Sequence, residues 1–106
     1  MISKADRKIL KLFSRRVREQ FPHARIWAFG SRARGTASWD SDFDTCIVVE
    51  HADKTVEKCI RDIAWGIGFE NEVVITTVIL DANQFEHGPM SESTLVQNIL
   101  REGISA

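Results

Sequence analysis

Apolar residues recur at helical spacing from the beginning of the chain. Ile9, Leu12, Phe13, Val17 and Phe21 repeat with Lys8, Lys11, Arg15 and Arg18 set between them. This pattern predicts an amphipathic helix of about five turns at about 3.6 residues per turn. Ser3, with Asp6 three residues on, resembles a capping box in which Asp replaces Glu or Gln. Pro22 ends the helix, because proline lacks the amide donor and clashes with the preceding turn. A strand is predicted over Arg25 to Phe29. A turn over Gly30 to Gly35 begins a short helix, and Thr36 to Ser41 reads as a polar loop. A second strand runs from Phe43 to Val49. From Asp53 to about Trp65, Val56, Ile60, Ile63 and Ala64 mark the apolar face of a helix that Gly66 and Gly68 are expected to stop. The β-branched run between Glu72 and Leu80 predicts a third strand, and its apolar character on both faces suggests a central or doubly covered position. Asp81 caps a short helix through Phe85, and Gly88-Pro89 breaks the chain. Ser91 to Arg101 forms a last helix that buries Leu95, Ile99 and Leu100, with Gly103 at its end. The order αβαβαβα implies an α/β fold, a small mixed sheet packed with helices.

Composition narrows this picture. A chain of 106 residues favours one domain spanning 1–106, and 43% hydrophobic residues suffice for a modest core. No apolar stretch approaches the length of about 18 residues that a membrane span needs. The opening Met1-Ile2-Ser3-Lys4 leads into a charged helical pattern, so no signal peptide is expected. Cys46 and Cys59 lack metal-type spacing, which argues against zinc and suits reduced thiols in the cytoplasm. The net charge of −1 conceals an asymmetry. Residues 1–39 carry ten Lys/Arg against two acids, a net +8, and residues 40–106 carry four against thirteen, a net −9. Such a split fits a charged partner, or simply a solvated basic helix face.

The candidate chemistry lies between Trp27 and Val49. Gly30-Ser31 follows the first predicted strand, and Asp42-Phe43-Asp44 opens the second. Side chains alternate along a strand, so Asp42 and Asp44 share a face. Their Cα atoms are expected about 6.8 Å apart, from a rise of about 3.4 Å per residue. Two carboxylates about 5 Å apart at an effective dielectric of about 20 repel by roughly 3 kcal/mol. A cation must therefore stand close: a metal, Arg32, Arg34, or a combination. Mg²⁺ suits such a pair, since it takes one or two protein carboxylates and completes its shell with water and substrate phosphates. Gly30 allows backbone conformations closed to other residues, and Ser31 adds a hydroxyl. Backbone amides at the start of a helix favour phosphate. Arg32 or Arg34 can neutralise a triphosphate tail.

Competing motifs fit less well. Gly30-x4-Gly35 is not followed by the Lys-Ser/Thr of a P-loop. Asp40-x-Asp42-x-Asp44 starts like a calcium loop, but Thr45 and His51 stand where the required Gly and Glu belong. Each element alone reads most simply as a polar strand end beside an ordinary turn. Together, and in the required order, they favour a site for a metal-bound nucleoside triphosphate. Trp27, Trp39 and Trp65 are core or loop residues on this reading, with Trp39 the best placed to stack on a base. Cys46 shares the face of the two aspartates and reads as a small core residue.

Gly30-Ser31, ten residues, then Asp42-x-Asp44 resembles the signature of the DNA polymerase beta-like nucleotidyltransferases. The stretch GSRARGTASWDSDFD is similar to the minimal nucleotidyltransferases, or MNT proteins, of bacteria and archaea. The resemblance implies a domain that binds ATP with Mg²⁺ and transfers AMP to a hydroxyl. Gly30 and Ser31 would hold the triphosphate, assisted by Arg32 and Arg34. Asp42 and Asp44 would hold the metal. A third carboxylate on the neighbouring strand would help deprotonate the acceptor. That strand carries no Asp between Val73 and Thr77, so Glu72 is the expected third catalytic residue, with Glu70 as its substitute. The resemblance further implies an antitoxin beside a helical HEPN-type toxin partner, which it modifies on a tyrosine. Two alternatives stand beside this one: an antitoxin that neutralises its partner by contact alone, and a transferase acting on a small molecule such as an aminoglycoside. Nucleic acid is not an expected partner, because no aromatic residues are interleaved with the basic charges. A homo-oligomer stays open.

Overall fold

The computed structural model describes the backbone of residues 1–106 and all side chains except those of Pro89 and Met90. Helix α1, Lys4–Gln20, is capped by Ser3, whose Oγ accepts from the Asp6 amide at 3.0 Å. Only half of the expected capping box forms, because the Asp6 carboxylate turns away to Arg32. Strand β1, Arg25–Phe29, leads directly into the short helix α2, Gly30–Arg34, which Gly35 closes in the left-handed conformation at φ 77°. Strand β2, Phe43–Val49, and helix α3, Lys54–Glu70, follow. Next come strand β3, Ile75–Asp81, and helix α4, Ala82–Glu86. After a 3₁₀ turn at Pro89–Glu92, helix α5, Thr94–Glu102, leads into a short strand β4, Ile104–Ser105.

The four strands form one mixed sheet in the order β3-β2-β1-β4. β1 runs antiparallel to β2 and β4, and β2 runs parallel to β3. Helices α1 and α3 cover one face, over Phe43, Ile47 and Val49 of β2. Helices α4 and α5 cover the other, over Cys46 and Val48. β2 is thus buried on both faces. β3 lies at the sheet edge and not at its centre, but it is doubly covered, the other position its composition suggests: Ile75 and Ile79 pack on the α1–α3 side, and Val78 and Leu80 on the α4–α5 side.

Two further expectations are corrected, and the short strand β4 is one the pattern did not predict. Gly66 and Gly68 do not stop α3, which runs on to Glu70 and is capped at Asn71. Gly68 is needed inside it: a Cβ there would overlap the carbonyl oxygen of Val73, while one on Gly66 would meet nothing within 4 Å. The last helix buries Val96 and Ile99, and Leu100 is exposed. β4 carries no alternating pattern of its own, since its two residues are placed by pairing with Trp27 and Ala28. Among the described residues no helix is long and apolar enough to cross a membrane.

Candidate nucleotide and metal site

Register brings the predicted residues together. β1 and β2 pair so that Phe29 stands beside Asp44, and the chain then turns at once into α2. Gly30, the first residue of α2, has φ 75°, a conformation that side-chain-bearing residues rarely adopt. It also lies against Asp44: a Cβ on Gly30 would overlap Asp44 Oδ2. The glycine is therefore required twice, for its backbone angle and for the space the carboxylate occupies. Ser31 is half-buried beside it, and its hydroxyl makes no hydrogen bond among the described residues.

Asp44 is half-buried and Asp42, just before β2, is exposed, so both lie where the sheet face is open. On the other side of Asp44 stands Thr76, its register partner on β3, whose hydroxyl donates to Asp44 Oδ1 at 2.7 Å. Thr45 donates to the Thr76 carbonyl at 2.7 Å and locks the same pairing from beneath. Parallel register extrapolated by one residue places Val74 beside Asp42. The neighbouring strand thus offers a hydroxyl and an isopropyl group where a carboxylate was sought.

The two expected third carboxylates are elsewhere. Glu72 is exposed in the turn between α3 and β3 at φ 56°, outside the strand. Glu70 is the exposed last residue of α3. The Val73 amide donates to the Gly68 carbonyl at 3.0 Å, which closes the turn after α3, and β3 begins at Ile75. Among the described residues no group of three His, Cys, Asp or Glu side chains could hold a metal. The Asp42–Asp44 pair supplies hard oxygen donors and no nitrogen or sulfur. That donor set fits a Mg²⁺ that arrives with phosphate and water ligands, and does not fit zinc.

The arginines separate in role. Arg32 is largely buried and fully engaged with the protein. It donates to Asp6 Oδ1 at 3.0 Å, to the Trp39 carbonyl at 3.0 Å and to the Ser41 carbonyl at 3.1 and 2.8 Å. It ties α1 to the loop that presents Asp42, which is a positioning role rather than a free cation. Arg34 is exposed and has no ion pair among the described residues; its carbonyl accepts from the N-terminal ammonium at 2.7 Å. Asp40, in the same loop, accepts from the Ser38 hydroxyl at 2.6 Å, which holds its carboxyl below the usual carboxylate range. Burial pushes the Cys46 thiol up to about 12. Sequence reasoning missed Asp6 and Thr76. Asp6 has the signature of a cap, and Thr76 is chosen only by parallel register, which leaves no local trace.

A Gly-Ser turn and an Asp-x-Asp strand, interlocked on a small mixed sheet, define a nucleotidyltransferase fold. The family model of the nucleotidyltransferase domain matches residues 10–103, and the chain belongs to that family. Solved structures share the fold. A toxin–antitoxin complex with AMP-PNP is 23% identical with a TM-score of 0.62, over 94% of this chain and 70% of that one. A double aspartate-to-glutamate mutant of the MntA–HpeT toxin–antitoxin is 20% identical with a TM-score of 0.61, over the same shares of 94% and 70%. A candidate nucleotidyltransferase from Sulfolobus solfataricus is 19% identical with a TM-score of 0.51, over 96% and 82%. None of the curated proteins matches this chain in sequence.

Proposed function

We propose that this protein is a cytoplasmic, single-domain, Mg²⁺-dependent nucleotidyltransferase. It transfers AMP from ATP to a hydroxyl of a protein partner and serves as the antitoxin of an MNT/HEPN-type pair. The observation that carries this reading is the interlock of Gly30 with Asp44, which places a phosphate-compatible turn in contact with a metal-compatible carboxylate. Family membership supports the reaction class, and fold likeness to toxin–antitoxin structures, one of them with AMP-PNP, supports the setting.

In this reading the Gly30–Ser31 segment and the Ser31 hydroxyl bind the triphosphate, and exposed Arg34 neutralises its outer charge. Arg32 acts indirectly, by fixing the loop that carries Asp42. Asp42 and Asp44 hold Mg²⁺, which when bound neutralises charge on the phosphates and on the attacking and leaving oxygens. The acceptor oxygen forms a bond to the α-phosphorus. The bond from that phosphorus to the oxygen bridging to the β-phosphorus breaks, and pyrophosphate departs with the electron pair. The acceptor proton passes to solvent, because Thr76 rather than a carboxylate faces Asp44. Incubation with Mg²⁺, ATP and a HEPN-type partner is expected to add the mass of one AMP group to the partner. Absence of that increment, or an equal increment with Asp42→Ala/Asp44→Ala, overturns the proposal.

A second reading, neutralisation by contact alone, is favoured by the placement of Thr76 opposite Asp44 and of Glu72 in the turn. It expects the same double variant to neutralise the partner at stoichiometric amounts without any mass change.

A further inference from the structure

β3 has β2 on one side and no strand on the other, and between Ile75 and Leu80 it carries neither a charge nor a proline to protect that edge. Beside it lies an open groove of about 1100 Å³, lined by the 39–41 loop, the C-terminal half of α3 and the 72–77 segment. Four large apolar side chains in it face solvent: Trp39 at 88% exposure, Trp65 at 71%, Phe69 at 73% and Val74 at 64%. Trp65 and Phe69 stack on each other with ring centroids 5.3 Å apart. This is a concentration of exposed apolar surface of the kind that marks an interaction site. The groove also carries Asp40 and Glu72, while Arg61, the one cation lining it among the described residues, is already paired with Glu57 at 2.9 Å. It adjoins the site through Thr76, which lines it and donates to Asp44 on the side of Asp44 away from Gly30.

We infer that this groove docks the acceptor protein through an extended segment of alternating bulky apolar residues flanked by Lys or Arg, added as a strand to the free edge of β3. The inference rests on the proposed transfer to a protein hydroxyl and specifies how that acceptor is held. Main-chain bonds to the edge supply affinity, and the aromatic pair accepts alternate side chains. The acidic groove selects basic flanks, and the register along β3 leads the segment to the Asp44 end. A second copy of this chain fits less well. Antiparallel pairing of two β3 strands about Val78 would set the apolar Ile75 of one beside the carboxylate of Asp81 of the other, with no cation on β3 to pair it.

The test uses the full chain and two synthetic peptides of alternating Val and Tyr, one flanked by Lys and one by Glu. Binding is followed by fluorescence anisotropy and by amide shift mapping. The Lys-flanked peptide is expected to bind at least tenfold more tightly than the Glu-flanked one and to shift β3 amides. Trp65→Ala/Phe69→Ala is expected to weaken binding at least tenfold, and Val74→Lys to do so by charge. Both variants should keep wild-type circular dichroism, and Trp65→Ala/Phe69→Ala should keep Mg²⁺-dependent binding of AMP-PNP. Equal affinity for the two peptides, unchanged binding by both variants, or sedimentation showing a dimer that Val74→Lys dissolves would each overturn the inference. Loss of AMP-PNP binding in the wild type with peptide binding intact would sink the transfer reading and leave the docking groove standing.

Discussion

Gly30 and Asp44 compete for one volume, and that competition makes Gly30→Ala informative. The left-handed backbone alone costs about 1–2 kcal/mol for a residue with a side chain, and the added methyl must also displace Asp44 Oδ2. The variant is expected to lose that much stability by urea denaturation and to lose Mg²⁺-dependent AMP-PNP binding while still folded. Arg32 gives a prediction of the opposite kind. It and Asp6 are only 12% and 10% exposed, so removing either partner strands a buried charge. Arg32→Ala and Asp6→Ala should each cost about 3–5 kcal/mol, and a double-mutant cycle should show them far from additive. A residue that merely neutralised phosphate would instead weaken nucleotide binding without lowering stability. Thr76→Asp would set a carboxylate where the hydroxyl now meets Asp44. If the missing base limits transfer, single-turnover AMP incorporation should rise about 100-fold, the lower end of the general-base contribution. Cys46, buried and with its thiol raised to about 12, should resist iodoacetamide at neutral pH while half-buried Cys59 is alkylated, as mass spectrometry of the native protein can show.

At the scale of elements, α3 shows how one residue type can have two meanings two positions apart. Gly66 meets nothing, so Gly66→Ala should stabilise the helix by about 0.5–1 kcal/mol. Gly68 allows the backbone of α3 to reach Val73, so Gly68→Ala should destabilise by about 1–3 kcal/mol through overpacking. Thermal melts of the two variants should move in opposite directions. Sequence pattern read both glycines as stop signals because punctuation by glycine is a local rule, and close approach to another segment is not local. The strands were legible to their bounds in β1 and β2, where turn residues flank short apolar runs. In β3 the run was legible but its start and its place in the sheet were not. Its β-branched residues suit an edge strand covered on both faces as well as a centre, and the late start of β3 leaves Glu72 in the preceding turn.

Across the whole molecule, the mixed sheet concentrates protection in its middle. β2 is paired on both sides and covered on both faces, so its amides should exchange only on global unfolding, while those of β4 and α2 exchange by local opening. Native-state hydrogen exchange across a denaturant series would show one isotherm for Ile47 to Val49 and shallower, lower ones at the edges. The charge division seen along the chain persists in space only in part. Arg32 of the basic segment is buried on Asp6, and Arg25 reaches across to Glu86 at 2.7 Å, tying β1 to α4. What the sequence determined by itself was local and periodic: the helix stripe of α1, the first two strands, the caps at Ser3 and Asp81, and the Gly-Ser and Asp-x-Asp pair whose spacing follows from strand alternation. What only tertiary structure decided was long-range. Parallel register chose Thr76 as the neighbour of Asp44, helix–strand contact at Gly68 placed Glu72 in a turn, and burial converted Arg32 from a free cation into a strut. Such choices depend on which segments meet in space, and no residue's own chemistry records its partner across the sheet.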